Sequence, residues 1–242
     1  KGLARFPYIA KPVTLTQINS GMEKPDGTFP TATASNTKLL AFSTSTITND
    51  GSASPHTLTA AGSAAASSSI IPAPGMHSAY FANGDADLVT IPASADHQIY
   101  GGDYTVEAWL YPTNFNASYN YFASKGDTGT REWAFGLNAS HIRVYWSTNG
   151  SGSGDTSVLG NVTNRTNEWM HFAATKSGND IYVFKNGNLV GTGTFTSIYG
   201  GNGITTISRL WTYSGIAHSY DGYISNFRIV KGQALYTKNF TP

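Results

Sequence analysis

The sequence contains no cysteine. That absence removes disulfides, thiolate zinc sites and cysteine nucleophiles together, so stability outside a cell would have to rest on a large core or on assembly. Charge is also scarce: 12% of residues are Asp, Glu, Lys or Arg, and the formal net charge is +1 with no block of like sign. The basic stripe that phosphate binding demands is missing, which disfavours a nucleic-acid partner. No apolar run approaches the roughly 20 residues needed to span a bilayer, so membrane insertion is not expected. No stretch carries convincing 3.6-residue periodicity. The chain opens at Lys1 without an initiator Met or a signal-like segment, and is expected to be a processed product or a piece of something longer.

What is abundant is Gly, Ser, Thr, Asn and Tyr, a composition suited to many short strands joined by polar turns. With 242 residues, 40% of them hydrophobic, the chain can bury one sizeable core, and a single all-β domain is the expectation. The clearest local signal is Asn167 to Val190. There, apolar runs at Trp169 to Thr175 and Ile181 to Lys185 flank a turn-forming break, Lys176-Ser177-Gly178-Asn179-Asp180. Asn186-Gly187 then fits a type I′ turn before Leu189-Val190. Three antiparallel strands are thus specified within this stretch.

Residues 1–35 differ from the rest. Pro7, Pro12, Pro25 and Pro30 interrupt them too often for a long strand or helix, and they read as an extended N-terminal arm. Phe6, Tyr8, Ile9, Val13, Leu15 and Ile18 are more apolar surface than a solvated linker needs, so the arm is expected to bind a partner. From residue 36 to 242 the texture is regular. Strands are expected at Lys38 to Phe42, His56 to Ala60, His77 to Phe81 and Leu88 to Ile91, the last two as a hairpin about Asn83-Gly84-Asp85, with Ser63 to Ser69 a connector.

Asp103 to Pro112 alternates strictly, with Val106, Ala108 and Leu110 on one face and Thr105, Glu107, Trp109 and Tyr111 on the other. Further strands are expected at Tyr119 to Ser124, Trp133 to Leu137, Ile142 to Ser147, Thr205 to Trp211 and Tyr223 to Val230. Asn149 to Asp155 reads as a flexible rim loop, and Tyr223, Phe227 and Ile229 are expected on one side of the last strand. Together these predict two packed antiparallel sheets.

Several stretches are similar to the concanavalin A-like lectin/glucanase superfamily in its laminin-G-like branch: SAYFANGDADLVTIP (78–92), GDYTVEAWLYPTN (102–114), IRVYWSTNG (142–150), NEWMHFAATKSGNDIYVFKNGNLVG (167–191) and DGYISNFRIVKGQALYTKNFTP (221–242). TKLLAF (37–42) and HTLTAAG (56–62) resemble its opening strands. The resemblance implies a jelly-roll sandwich. The closing FRIVKGQALYTKNFTP resembles a variant found in phage and marine viral structural proteins, which implies a virion appendage.

Catalysis is not expected. Glucanases of the superfamily carry two Glu flanking an Asp on one strand; here Glu23, Glu107, Glu132 and Glu168 are dispersed. Glu107 and His171 read as structural, no G-x-S-x-G elbow occurs, and His56, His77, His97, His141 and His218 lack metal-ligand spacing. No cofactor is required. The superfamily's rim-bound calcium makes Asp85, Asp87 and Asp221 candidate ligands, against their reading as plain turns. Aromatics beside loops, Tyr119, Tyr121, Tyr145, Trp146, Trp211 and Tyr213, are candidate sugar-stacking residues, against their reading as core.

Two functions follow as expectations. The leading one is a non-enzymatic module of a virion surface, anchored through its arm to a capsid or tail protein or to sister subunits of a homo-oligomer, and able to bind host glycans. The alternative is a carbohydrate-binding module, calcium-assisted or not, of a secreted or cell-surface protein.

Overall fold

Alternation of apolar and polar residues builds the strand at 104–112, which lies in the middle of its sheet. The structure is a computed structural model, and it describes residues 32–82, 86–99, 101–115, 118–127, 129–210 and 218–242. In chain order the strands are β1 (Thr37–Ala41), β2 (Thr59–Ala61), β3 (Ala65–Ser67), β4 (Ser78–Phe81), β5 (Leu88–Ile91), β6 (Tyr104–Pro112), β7 (Asn120–Asp127) and β8 (Thr130–Leu137). They continue as β9 (His141–Ser147), β10 (Asp155–Asn161), β11 (Met170–Ser177), β12 (Asp180–Lys185), β13 (Asn188–Thr194), β14 (Ile204–Ile207) and β15 (Gly222–Lys231). Among the described residues there is no α-helix, and hence no helix long and apolar enough to cross a membrane.

The strands form two antiparallel sheets. One is eight-stranded, ordered β13-β12-β11-β6-β15-β4-β3, with β1 paired to the second half of β15; the other is seven-stranded, ordered β10-β9-β8-β7-β14-β5-β2. Their inner faces share one core. Val106, Ala108 and Leu110 of β6, Phe172 and Ala174 of β11 and Phe227 and Ile229 of β15 meet Phe135 and Leu137 of β8 and Ile142 and Val144 of β9. The expected hairpin at 170–190 is present. Asn186 and Gly187 both take positive φ, 49° and 75°, as the turn requires.

Three expectations need correction, and one strand, β10, was not expected. β4 and β5 are not a hairpin, because β4 lies in the eight-stranded sheet and β5 in the seven-stranded one; the chain crosses between layers there, and Asn83 to Asp85 lie outside the described residues. The small-residue connector contains β3, an edge strand held by backbone pairing to β4 and not by side chains. β10 follows the Gly-rich loop and pairs along β9, although its sequence, DTSVLGN, carries little apolar signal. Tyr223 faces away from the core. A bulge between Ser225 and Arg228, with Asn226 at φ 49°, shifts the alternation so that Phe227 and Ile229 point inward while Tyr223 points out.

Candidate functional site

The outer face of the eight-stranded sheet is divided into a covered half and an open half. Over the covered half runs the C-terminal tail. Leu235, Tyr236 and Phe240 form a second apolar cluster with Ala32, Ala173, Phe184 and Val230. The tail is stitched down by Phe240 N donating to Gly187 O (2.9 Å), Leu189 N to Asn239 Oδ1 (2.8 Å) and Leu235 N to Thr105 Oγ1 (2.9 Å). Gly187 is required there, because a Cβ at that position would lie 1.8 Å from Phe240 O.

Under the tail sits Glu107. Arg228 donates to it through Nε at 2.5 Å and pairs through Nη2, Tyr236 donates its hydroxyl at 2.9 Å, and His171 Nε2 lies 3.4 Å away. Burial alone would raise the Glu107 pKa, but Arg228, His171 and Tyr236 together outweigh it and hold the carboxyl down at about 2. A carboxylate so placed carries no proton to donate near neutral pH, and the tail separates it from solvent. Glu132 is likewise buried, bonded to Lys125 Nζ at 2.7 Å, and Glu168 lies at the surface facing Arg165. Each described glutamate is therefore engaged with a cation.

The open half carries a row of aromatic rings. Tyr80 of β4, Tyr223 of β15, Tyr111 of β6 and Trp169 just before β11 lie side by side across four neighbouring strands, all half-buried. Successive ring centroids are 4.7, 5.7 and 5.4 Å apart. Strands spaced about 4.8 Å apart impose this repeat. Beside Trp169, Trp109 stands over His171, and the two tryptophans with Asn186, Phe240, Thr241 and Pro242 line a cavity of about 380 Å³. No sequence expectation named these rings as a site, although the alternation of 103–112 had already placed Trp109 and Tyr111 on a face opposite the core.

The seven-stranded sheet treats the sequence-predicted binding residues unequally. Tyr119, Tyr121 and Tyr145 are brought together on its outer face around Arg143, whose Cζ lies 4.9 Å from the ring centroids of both Tyr119 and Tyr145. Arg143 Nη1 donates to Tyr121 Oη at 2.9 Å. Tyr121 lies flat over Gly136, where a Cβ would come within 2.8 Å of its ring. Trp146 does not join them; it is 3% exposed and packs in the main core against Phe195. Trp211 and Tyr213 lie outside the described residues, as do Asp85 and the arm residues Phe6, Tyr8, Ile9, Val13, Leu15 and Ile18.

Asp87 accepts from Ser63 N (2.5 Å) and Ala82 N (2.8 Å), and Asp221 accepts from Thr113 Oγ1 (2.7 Å). The two flank Tyr80, whose hydroxyl pKa is raised first by burial and then by Asp221 and, more weakly, Asp87. Among the described residues no three His, Asp or Glu side chains gather as a metal cluster. Sequence reasoning also missed a histidine pair: the His56 and His97 rings stand 4.5 Å apart, and burial with its neighbour's charge lowers the His97 pKa to about 4.

Two packed antiparallel sheets of this order, with aromatic outer faces, define a concanavalin A-like jelly-roll module. A family model described as the Concanavalin A-like lectin/glucanases superfamily matches residues 83–236, and the chain belongs to that superfamily. No curated protein matches it. Among solved structures it is similar to the binding domain of Paraclostridial Mosquitocidal Protein 1, with a TM-score of 0.65, 12% identity and coverage of 84% of this chain and 50% of that one. The binding domain of Botulinum Neurotoxin DC in complex with SialylT gives a TM-score of 0.62 at 13% identity, with 83% and 49% coverage. Domain 4 of an extracellular arabinanase from Geobacillus stearothermophilus, in complex with arabinotriose, gives 0.60 at 19% identity, with 83% and 95% coverage. This chain spans about half the length of the toxin binding domains, and identities this low speak for the fold alone.

Proposed function

We propose that this chain is a non-catalytic carbohydrate-binding module. The observation that carries the reading is the half-exposed row Tyr80, Tyr223, Tyr111 and Trp169, ending at the cavity beside Trp109. Pyranose rings present flat C–H faces that stack on aromatic side chains, and a row repeating at strand spacing suits successive sugars of an oligosaccharide. Asn186 and Thr241 at the cavity supply amide and hydroxyl groups for sugar hydroxyls. The engaged state of Glu107, Glu132 and Glu168 supports binding over hydrolysis. The arabinotriose and SialylT complexes of the two neighbours are consistent with it. A glycan array of neutral oligosaccharides, read with the whole chain and with Trp169→Ala, tests the proposal. Binding that Trp169→Ala removes supports it, and absence of binding at millimolar oligosaccharide overturns it.

The setting proposed for the module is a virion surface, on the resemblance of residues 227–242 to modules of viral structural proteins and on the apolar arm at 1–35. The arm would tie the sandwich to a capsid or tail protein or to sister subunits. Deleting residues 1–31 tests the tether: particles that still acquire the protein would refute it.

A further inference from the structure

The outer face of the seven-stranded sheet holds a cation without an anion. Arg143 has no carboxylate partner among the described residues, whereas neighbouring Arg131 is paired with Asp155. The Arg143 guanidinium stands over the rings of Tyr119 and Tyr145, and one Nη1 bond, to Tyr121 Oη, orients it. Its Nε is buried with no hydrogen-bond acceptor among the described residues. The side chain as a whole remains half-buried, as does Tyr119, so the cluster reaches solvent.

We infer that Arg143, with Tyr119, Tyr121 and Tyr145, forms a second site that takes the anionic group of an acidic saccharide. A guanidinium edge matches a carboxylate or sulfate in a planar, two-bond geometry, and stacking on tyrosines holds that edge in one orientation without neutralising it. The half-exposed Tyr119 ring offers the sugar a stacking face beside the anion. Gly136 gives Tyr121 the room to lie flat, which sets its hydroxyl against Arg143. The site is on the opposite face of the sandwich from the aromatic row. It rests on the carbohydrate-binding reading only for the saccharide part of its ligand.

The test is calorimetric titration of the whole chain with N-acetylneuraminic acid, galacturonate, glucosamine 6-sulfate and neutral galactose, at low and at 0.5 M salt. The expected result is binding of at least one acidic sugar at least tenfold tighter than galactose, weakened by salt and lost in Arg143→Gln. Preference between the carboxylated and the sulfated probes identifies the group. Arg143→Lys keeps the charge without the planar fork and is expected to lose at least tenfold; it also serves should Arg143→Gln fail to fold. Acidic sugars binding no better than galactose, or undiminished binding in the lysine variant, overturns the inference. Trp169→Ala is expected to leave acidic-sugar binding intact, so failure of the aromatic row and failure of this site are read separately.

Discussion

Glu107 on β6 and Arg228 on β15 are register partners, and their ion pair lies beneath the C-terminal tail with Tyr236 closing it from above. Breaking it from one side strands a charge. Glu107→Gln is expected to destabilise by about 3–5 kcal/mol, because the buried Arg228 would lose the carboxylate that balances its charge. The double variant Glu107→Gln/Arg228→Met is expected to recover most of that loss. Urea unfolding of the three proteins checks it; a double variant no better than the single one would contradict the account.

Acid should weaken the fold in two stages. The buried His97, with its pKa lowered to about 4, favours the neutral ring; its stabilisation is present above the ordinary histidine value near 6.5 and is lost as pH falls toward 4. Glu107, held at about 2, contributes stabilisation that is present above its ordinary 4.5 and is lost as pH falls toward 2. Melting temperatures across pH 8 to 2 are expected to fall through both windows, with His97→Gln removing the upper step and Glu107→Gln the lower.

Gly187→Ala is expected to cost about 1–2 kcal/mol for positive φ alone, and more because the new methyl meets Phe240 O. The tail should loosen first. Amide exchange at Phe240 and Leu189 should accelerate in this variant while Phe172, deep in β11, stays protected.

Asn226 sits at φ 49° in the bulge that turns Tyr223 outward. Asn226→Gly is expected to change stability by no more than about 0.5 kcal/mol, whereas the β-branched Asn226→Val should cost about 1–2 kcal/mol. Thermal unfolding measures both. Equal tolerance of the two would mean the bulge does not need that backbone conformation.

If the aromatic row binds oligosaccharides, Tyr111→Ala and Tyr223→Ala should each weaken binding by about tenfold, the loss of about 1.4 kcal/mol expected for one stacked ring. Calorimetry on folded variants reads it. Loss confined to one ring would reduce the row to a single subsite.

Local chemistry was legible in the residues. The alternation of 103–112 assigned both faces of β6 correctly, Asn186-Gly187 announced its turn, and the succession of short strands announced two sheets. Tyr119, Tyr121 and Tyr145 were named as candidates and do converge, but the Arg143 that organises them was not named. Trp146 was named for its nearness to a loop, while its own alternation with Ile142 and Val144 already placed it inside.

The sequence by itself determined what depends on neighbours two to five residues apart: strand period and turn type. Tertiary structure decided what depends on pairing across the chain. Residues 80, 111, 169 and 223 become one row only because β4, β15, β6 and β11 are laid edge to edge, and Tyr223 joins it only because one extra residue in a bulge reverses its facing. No local pattern encodes either fact, since strand order and bulge position are set by how the whole core packs.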